Sequence, residues 1–242
     1  MKFVQALQQA KPAIAVPISA ADPTSFLTQI DAISQNAAVQ IVEWRVDTSN
    51  TLPDATVQQG VARLHQAGKL LLLTLRTKAE GGAFAGDGQA YLAKYSHLLA
   101  LITPDALDVE ASLASSVRET CVQLAHKQGI AVVASAHDFQ HTPSLADAKA
   151  ALRAQSIWAD VVKLAAMPQT TADTLNLLAL SAWARANLSQ PAIVIGMGAL
   201  GQLTRVASGA FAPGLTFATL GQASAPGQLS VQVIHQLQEE LS

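Results

Sequence analysis

Apolar and β-branched runs recur along the chain, beginning near Ala13, Val39, Lys69, Ala106, Ile130, Asp160, Pro191 and Gly214. Their spacing is close to the roughly 30 residues that one βα unit needs. Between them lie alanine-, leucine- and glutamine-rich stretches with helical periodicity: Pro23–Ile33, Thr56–Ala67, Gln89–Ala100, Leu113–Gln128, Ser144–Gln155, Thr171–Asn187 and Gly227–Leu241. The segment Gly201–Gly209 supplies a candidate helix between the seventh and eighth strands. Gly68 and Gly129 follow helical stretches, where αβ loops favour a left-handed residue. Eight strands alternating with eight helices predict an α/β fold, a (β/α)8 TIM barrel formed as a single domain over residues 1–242. A doubly wound open sheet competes, but no glycine-rich dinucleotide turn follows the first strand.

Polar residues interrupt these strands with a period of two. Glu43, Arg45 and Asp47 share one face of their strand, and Val42, Trp44 and Val46 share the other, towards the helices. The same alternation pairs Thr74 with Arg76, Asp108 with Glu110, and Ser135 with His137. Barrel enzymes build their sites from the carboxyl ends of several strands, which is where these residues fall. A purely structural ion network inside the barrel is the other reading of Glu43 and Arg45.

Lys163 lies in Asp160-Val-Val-Lys-Leu-Ala-Ala-Met-Pro168, with Val161, Val162, Leu164 and Ala165 beside it. Burial penalises a charged ammonium and so favours the free amine, a nucleophile for carbonyl carbons. The bland alternative is a buried stem whose head snorkels to water. His137 lies near the end of the preceding strand, close enough to serve the same substrate as a proton shuttle. Glu80 follows the third strand, where it can orient or ionise that imidazole. Together with several arginines, this set predicts imine chemistry on an anionic carbonyl compound.

Composition narrows the remaining classes. The 242 residues are 50% hydrophobic and 13% charged, ample for a core, and the net charge of −2 favours neither nucleic acid nor an anionic membrane as partner. One cysteine, Cys121, leaves no internal disulfide or cysteine-rich metal site, and its helical setting suits a buried thiol. No apolar run approaches a membrane span, and the first ten residues are too polar for a signal-peptide core, so a cytoplasmic location is expected. His137 and His141 have a metal-like spacing, but they suit one ion only on a helix, whereas a strand-to-helix loop is expected here. His65, His97, His126 and His235 sit in helical patterns, at surface or edge positions. Gly81-Gly82 and Gly86–Gly88 lack the Gly-Lys-Ser/Thr of a phosphate loop, leaving a mobile loop at the site as the simpler expectation.

Several segments, in order, carry a family resemblance: Glu43-Trp-Arg-Val-Asp47, Arg76-Thr-Lys-Ala-Glu-Gly-Gly82, Asp108-Val-Glu110 and Ser135-Ala-His-Asp-Phe-Gln-His-Thr-Pro143. They continue with Asp160–Pro168, Gly196-Met-Gly-Ala-Leu-Gly-Gln-Leu-Thr-Arg205, Leu215-Thr-Phe217 and Ser224-Ala-Pro-Gly-Gln228. In these the chain resembles the type I 3-dehydroquinate dehydratases. The resemblance implies a barrel that converts 3-dehydroquinate to 3-dehydroshikimate by syn elimination of water, with no metal or organic cofactor. It matches Lys163 to the Schiff-base lysine, His137 to the general acid/base and Glu80 to the supporting carboxylate. Glu43, Arg45, Arg76, Met197, Arg205, Phe217, Ser224 and Gln228 match substrate-holding positions. It also implies a homodimer. Ala136 and Gly196 depart from the aromatic and the serine common at those places. Another Schiff-base lyase or aldolase, or a ligand sensor on the same barrel, are the alternatives. A final expectation is a lid over the substrate at Thr219–Gln228, with Gly221 and Gly227 as hinges.

Overall fold

The alternation along the chain closes a cylinder. In a computed structural model describing residues 1–49, 52–221 and 227–241, the predicted runs become β1 (Ala13–Ile18), β2 (Ile41–Arg45), β3 (Leu70–Thr74) and β4 (Ala106–Glu110), then β5 (Ala131–Asp138), β6 (Val161–Ala166), β7 (Ala192–Gly196) and β8 (Leu215–Thr219). The outer helices are α2 (Pro23–Ser34), α3 (Asp54–Gln66), α4 (Gly88–Leu101), α5 (Ser115–Lys127), α6 (Leu145–Ser156), α7 (Thr171–Asn187), the short α8 (Gln202–Val206) and α9 (Val231–Glu240). Each strand pairs in parallel with its neighbour from β1 to β7, and β8 pairs with β1, setting Ala13 opposite Leu215. The Gly214 N–H donates to the Ala192 carbonyl at 2.8 Å and ties the entry of β8 to β7. This is a (β/α)8 barrel, with a two-residue strand β9 (Leu229–Ser230) added beside β8. Gly68 and Gly129 both take a φ of 72°, the left-handed exit expected after α3 and α5.

Side-chain parity divides the apolar residues into layers. Val42, Trp44 and Val46 face outward into a cluster with Phe26 and Ile30 of α2 and Val57, Val61 and Leu64 of α3. Ala13, Ala15, Ile41, Leu72, Ala106, Val133, Val161 and Leu215 face inward and fill the barrel. No helix among the described residues is long and apolar enough to cross a membrane.

One α-helix went unassigned from the sequence, and the expected helix Gly227–Leu241 starts only at Val231, after β9. Helix α1 (Lys2–Leu7) precedes the barrel and sets Phe3 and Leu7 on one face, four residues apart; both are buried in the inward cluster. Six residues make fewer than two turns and carry too little periodicity to announce a helix. It is held by what it plugs.

Candidate active site

The polar inward positions gather at the carboxyl ends of the strands. Lys163 on β6 stands level with Ser135 on β5, and His137 lies two residues further along β5, at the level of Ala165. The carbons beside Lys163 are apolar, as expected, but its amine does not face an apolar wall. Nζ lies 3.3 Å from Asp108 Oδ2 on β4 and 3.9 Å from Glu43 Oε1 on β2, with the Phe217 ring centroid 5.0 Å away. Lysine, aspartate and glutamate are each buried here. The amine does not snorkel; it points inward to two carboxylates.

Arg76 organises this floor. It extends from the end of β3 and is 3% exposed, so its charge needs internal partners. Nη2 donates to Asp108 Oδ1 at 2.8 Å, while Nη1 donates to Glu110 Oε1 and to Ser135 Oγ, each at 2.9 Å. Burial opposes its charge, but Asp108, Glu110, Glu80 and Glu43 outweigh this and hold the guanidinium above its ordinary pKa. Asp108 gains in turn: burial pushes its carboxyl up, and Arg76 and Lys163 pull it below the usual carboxylate range. Ser135 Oγ donates to the same Oδ1 at 2.6 Å. Asp108 therefore bridges the arginine and the lysine as an ionised group.

The acid–base pair sits beside it. His137 Nδ1 lies 2.8 Å from Glu80 Oε2, and Ser112 Oγ donates to Glu80 Oε1 at 2.5 Å. Burial, with the charges of Arg76, Lys163 and Arg45, holds the imidazole well below its ordinary pKa. The neutral ring donates from Nδ1 to Glu80 and leaves Nε2 as the base. Burial also pushes the Glu80 carboxyl up to about 7, against the Ser112 hydrogen bond.

Glu80 is placed by a turn that the sequence suggested would move. The chain after β3 folds back on itself, with Lys78 N–H to Phe84 O at 2.8 Å and Gly82 N–H to Thr77 O at 2.7 Å. A Cβ on Gly82 would stand 2.1 Å from the Arg76 carbonyl oxygen, so only glycine permits this return. Asp47 fastens the turn from just beyond β2, accepting from Ala83 N–H at 3.0 Å while it binds Arg45 through Nε and Nη2 at 2.9 and 2.7 Å. Gly86–Gly88 likewise belong to a helix start, because Asp87 caps α4 through the Ala90 N–H. Neither stretch is a loose loop in this structure.

A cavity of about 120 Å³ opens over these groups. It is lined by Lys163, His137, Glu80, Glu43, Arg45, Arg76, Met197, Arg205, Phe217 and Gln228, together with Gly81, Phe139, Ala165 and Ile195. The structure thus brings together every sequence-predicted site residue except Ser224, which lies outside the described residues, as do residues 222–226 of the expected lid at Thr219–Gln228. Arg205 reaches the cavity from α8, and burial pushes its pKa down to about 10. His141 sits exposed in the loop between β5 and α6, so its spacing from His137 does not put two imidazoles on one helix face. Ala136 faces outward, against the layer formed by α6 and α7, and so does not line the cavity. Gly196 allows a close approach of loop and strand, since a Cβ there would meet the Gly201 Cα at 2.6 Å.

Asp108, Glu110 and Ser112 hold the reactive groups and were assigned no role from the sequence. The period of two turns the first two inward, which is the signal available for them. Ser112 is a loop residue with no such mark.

The type I 3-dehydroquinase family model matches residues 14–241, from the first strand to the last helix. The chain belongs to this family. It is 40% identical over 233 residues to the 3-dehydroquinate dehydratase of Enterococcus faecalis, an alignment covering 93% of this chain and 91% of that one. The solved structure of 3-dehydroquinate dehydratase from Enterococcus faecalis superposes with a TM-score of 0.85 at 33% identity, covering 97% of this chain and 95% of that one. A type I 3-dehydroquinate dehydratase from Clostridium difficile, solved with covalently modified comenic acid, gives a TM-score of 0.87 at 28% identity, covering 96% and 93% of the two chains.

Proposed function

We propose that this protein dehydrates 3-dehydroquinate to 3-dehydroshikimate, a step of the shikimate pathway, through an imine on Lys163. The observation that carries this reading is the pairing of an inward amine with a neutral imidazole in one cavity, each held by its own carboxylate. Lys163 Nζ adds to the ring ketone, and loss of water leaves a protonated imine. Asp108 and Glu43 flank the cationic nitrogen. The imine draws electrons from the adjacent carbon, and His137 Nε2 takes its proton. The enamine then expels the β-hydroxyl, which leaves as water with the proton returned by His137. Hydrolysis of the product imine frees Lys163. Because the imine is the electron sink, the scheme calls for no metal or organic cofactor, and turnover is expected to survive exhaustive chelation.

In this reading Arg205, Gln228 and Ser224 hold the substrate carboxylate, to which arginine's planar fork is suited. Glu43, Arg45 and Arg76 hold the ring hydroxyls, and Met197 and Phe217 pack against the ring. The assignment draws support from family membership and from the convergence of these side chains on one cavity. The partner is a small molecule, and we place the enzyme in the cytoplasm as a homodimer, which sedimentation equilibrium tests directly.

The deciding experiment follows the absorbance of the conjugated enone formed from 3-dehydroquinate, then adds borohydride during turnover. Reduction should leave a stable adduct on the peptide containing Lys163. An adduct on Lys149 or Lys127 overturns the assignment.

A further inference from the structure

The proposed mechanism uses only one oxygen of Glu80. Oε2 faces His137 Nδ1 at 2.8 Å, and Arg76 Nη1 also lies 3.6 Å from it. Oε1 is held by Ser112 Oγ at 2.5 Å. Ser112 stands just beyond β4 in an exposed turn, so this hydroxyl is the contact between a buried carboxylate and the solvent side of the barrel. Two fixed oxygens set the plane of a carboxylate; one does not. With Oε1 released, Glu80 is free to rotate about its last torsion and turn towards Arg76.

We propose that Ser112 is a positioning residue for the dehydration: its hydroxyl locks Glu80 in the orientation that presents the carboxylate to His137 Nδ1 and keeps Nε2 turned to the substrate. This rests on the acid–base reading of His137 and Glu80 given above.

The charges around Glu80 fix the direction of the effect. Arg76 faces it from its own segment, Asp108 and Glu110 from β4, and His137 from β5. Burial raises the Glu80 carboxyl, Ser112 lowers it, Glu110 and Asp108 raise it, and Arg76 lowers it. Losing the hydroxyl removes a stabilising donor from the ionised form. The Glu80–His137 pair then takes up its proton at a higher pH, and a pair already holding that proton cannot accept one from the substrate.

Threonine and valine at position 112 test this, because they share a shape and differ by one hydroxyl. Valine also fills the space a replacement water would need. In pH profiles of kcat for the full-length enzyme, Ser112→Thr should keep the acidic limb in place. Ser112→Val should move it upward by about one pH unit, as expected for loss of one hydrogen bond to a charged group. The kcat plateau at high pH should fall in Ser112→Val, because Glu80 is no longer fixed towards His137, and stay near that of the unsubstituted enzyme in Ser112→Thr, while KM changes little in both. Coincident Thr and Val profiles overturn the proposal. Glu80→Gln separates the two levels of inference. If Glu80→Gln slows turnover while Ser112→Val does nothing, only the role of Ser112 fails. If Glu80→Gln leaves turnover unchanged, the acid–base reading beneath it fails.

Discussion

The two ends of the barrel are made by the same strands with the same alternation, yet they are filled by opposite chemistry. At the amino end the inward positions are Ala13, Ala15, Ile41, Leu72, Ala106, Val133 and Val161, sealed by Phe3 and Leu7 of α1. One or two inward positions further along, the same strands carry Glu43, Arg45, Thr74, Arg76, Asp108, Glu110, Ser135, His137 and Lys163. The first end stabilises the fold, since burying one large apolar side chain contributes about 1.5–3 kcal/mol. The second is a poor way to gain stability, because desolvation offsets much of what buried charges gain by pairing. An ion network of this cost is understandable where it holds an amine and an imidazole in fixed positions. Stability and reactivity are thus separated along the barrel axis.

The sharpest test of that separation is Lys163→Ala. Turnover should disappear and borohydride should label nothing, while thermal stability changes little. Asp108 keeps Arg76 and Ser135 as partners and Glu43 keeps the Thr74 hydroxyl at 3.0 Å, so neither carboxylate is orphaned. A variant that loses activity only because it fails to fold would make the ionic end structural and erase the distinction.

Next in size is His137→Ala. General acid–base groups contribute about 10²–10⁴-fold, and turnover should fall in that range. Imine trapping should persist, because the nucleophile and its carboxylates are untouched. Full turnover in the folded variant would remove His137 from the chemistry.

The converse change belongs to the amino end. Phe3→Ala removes a fully buried ring from the plug, and denaturant unfolding should show a loss of about 3–5 kcal/mol. The folded fraction should retain its kcat, since Phe3 is not among the residues that line the cavity. A large drop in kcat at full occupancy of the folded state would show that the two ends are coupled.

The same contrast explains what the sequence makes legible. Strand positions and inward parity follow from a local period of two, and that period alone turns Glu43, Arg45, Arg76 and His137 to the inward face. Pairing depends instead on the register between strands. That Lys163 meets Asp108, and that Arg76 spans Asp108, Glu110 and Ser135, emerges only when β3, β4, β5 and β6 are laid side by side. The roles of Lys163, His137 and Glu80 come from resemblance and chemistry rather than from periodicity. Helix α1 escapes the sequence pattern because its two buried residues acquire meaning only from the barrel they close. The turn at Glu80–Gly82 escapes it because glycines that permit tight packing look in sequence like glycines that permit motion.

The smallest effect should come from the rim. Gln228 lines the cavity from the segment before β9, half-buried. If it contributes one hydrogen bond to the charged substrate carboxylate, removing it costs about 1.5–3 kcal/mol of binding. That corresponds to a rise in KM of roughly 12- to 160-fold for Gln228→Ala. The contact is to a carboxylate that keeps its charge through the reaction, so ground state and transition state should lose equally and kcat should hold. Thermal stability should change little, because the side chain is only half-buried at the rim of the barrel. A fall in kcat with KM unchanged would instead assign Gln228 to the reacting centre and extend the chemical end of the barrel outward to its rim.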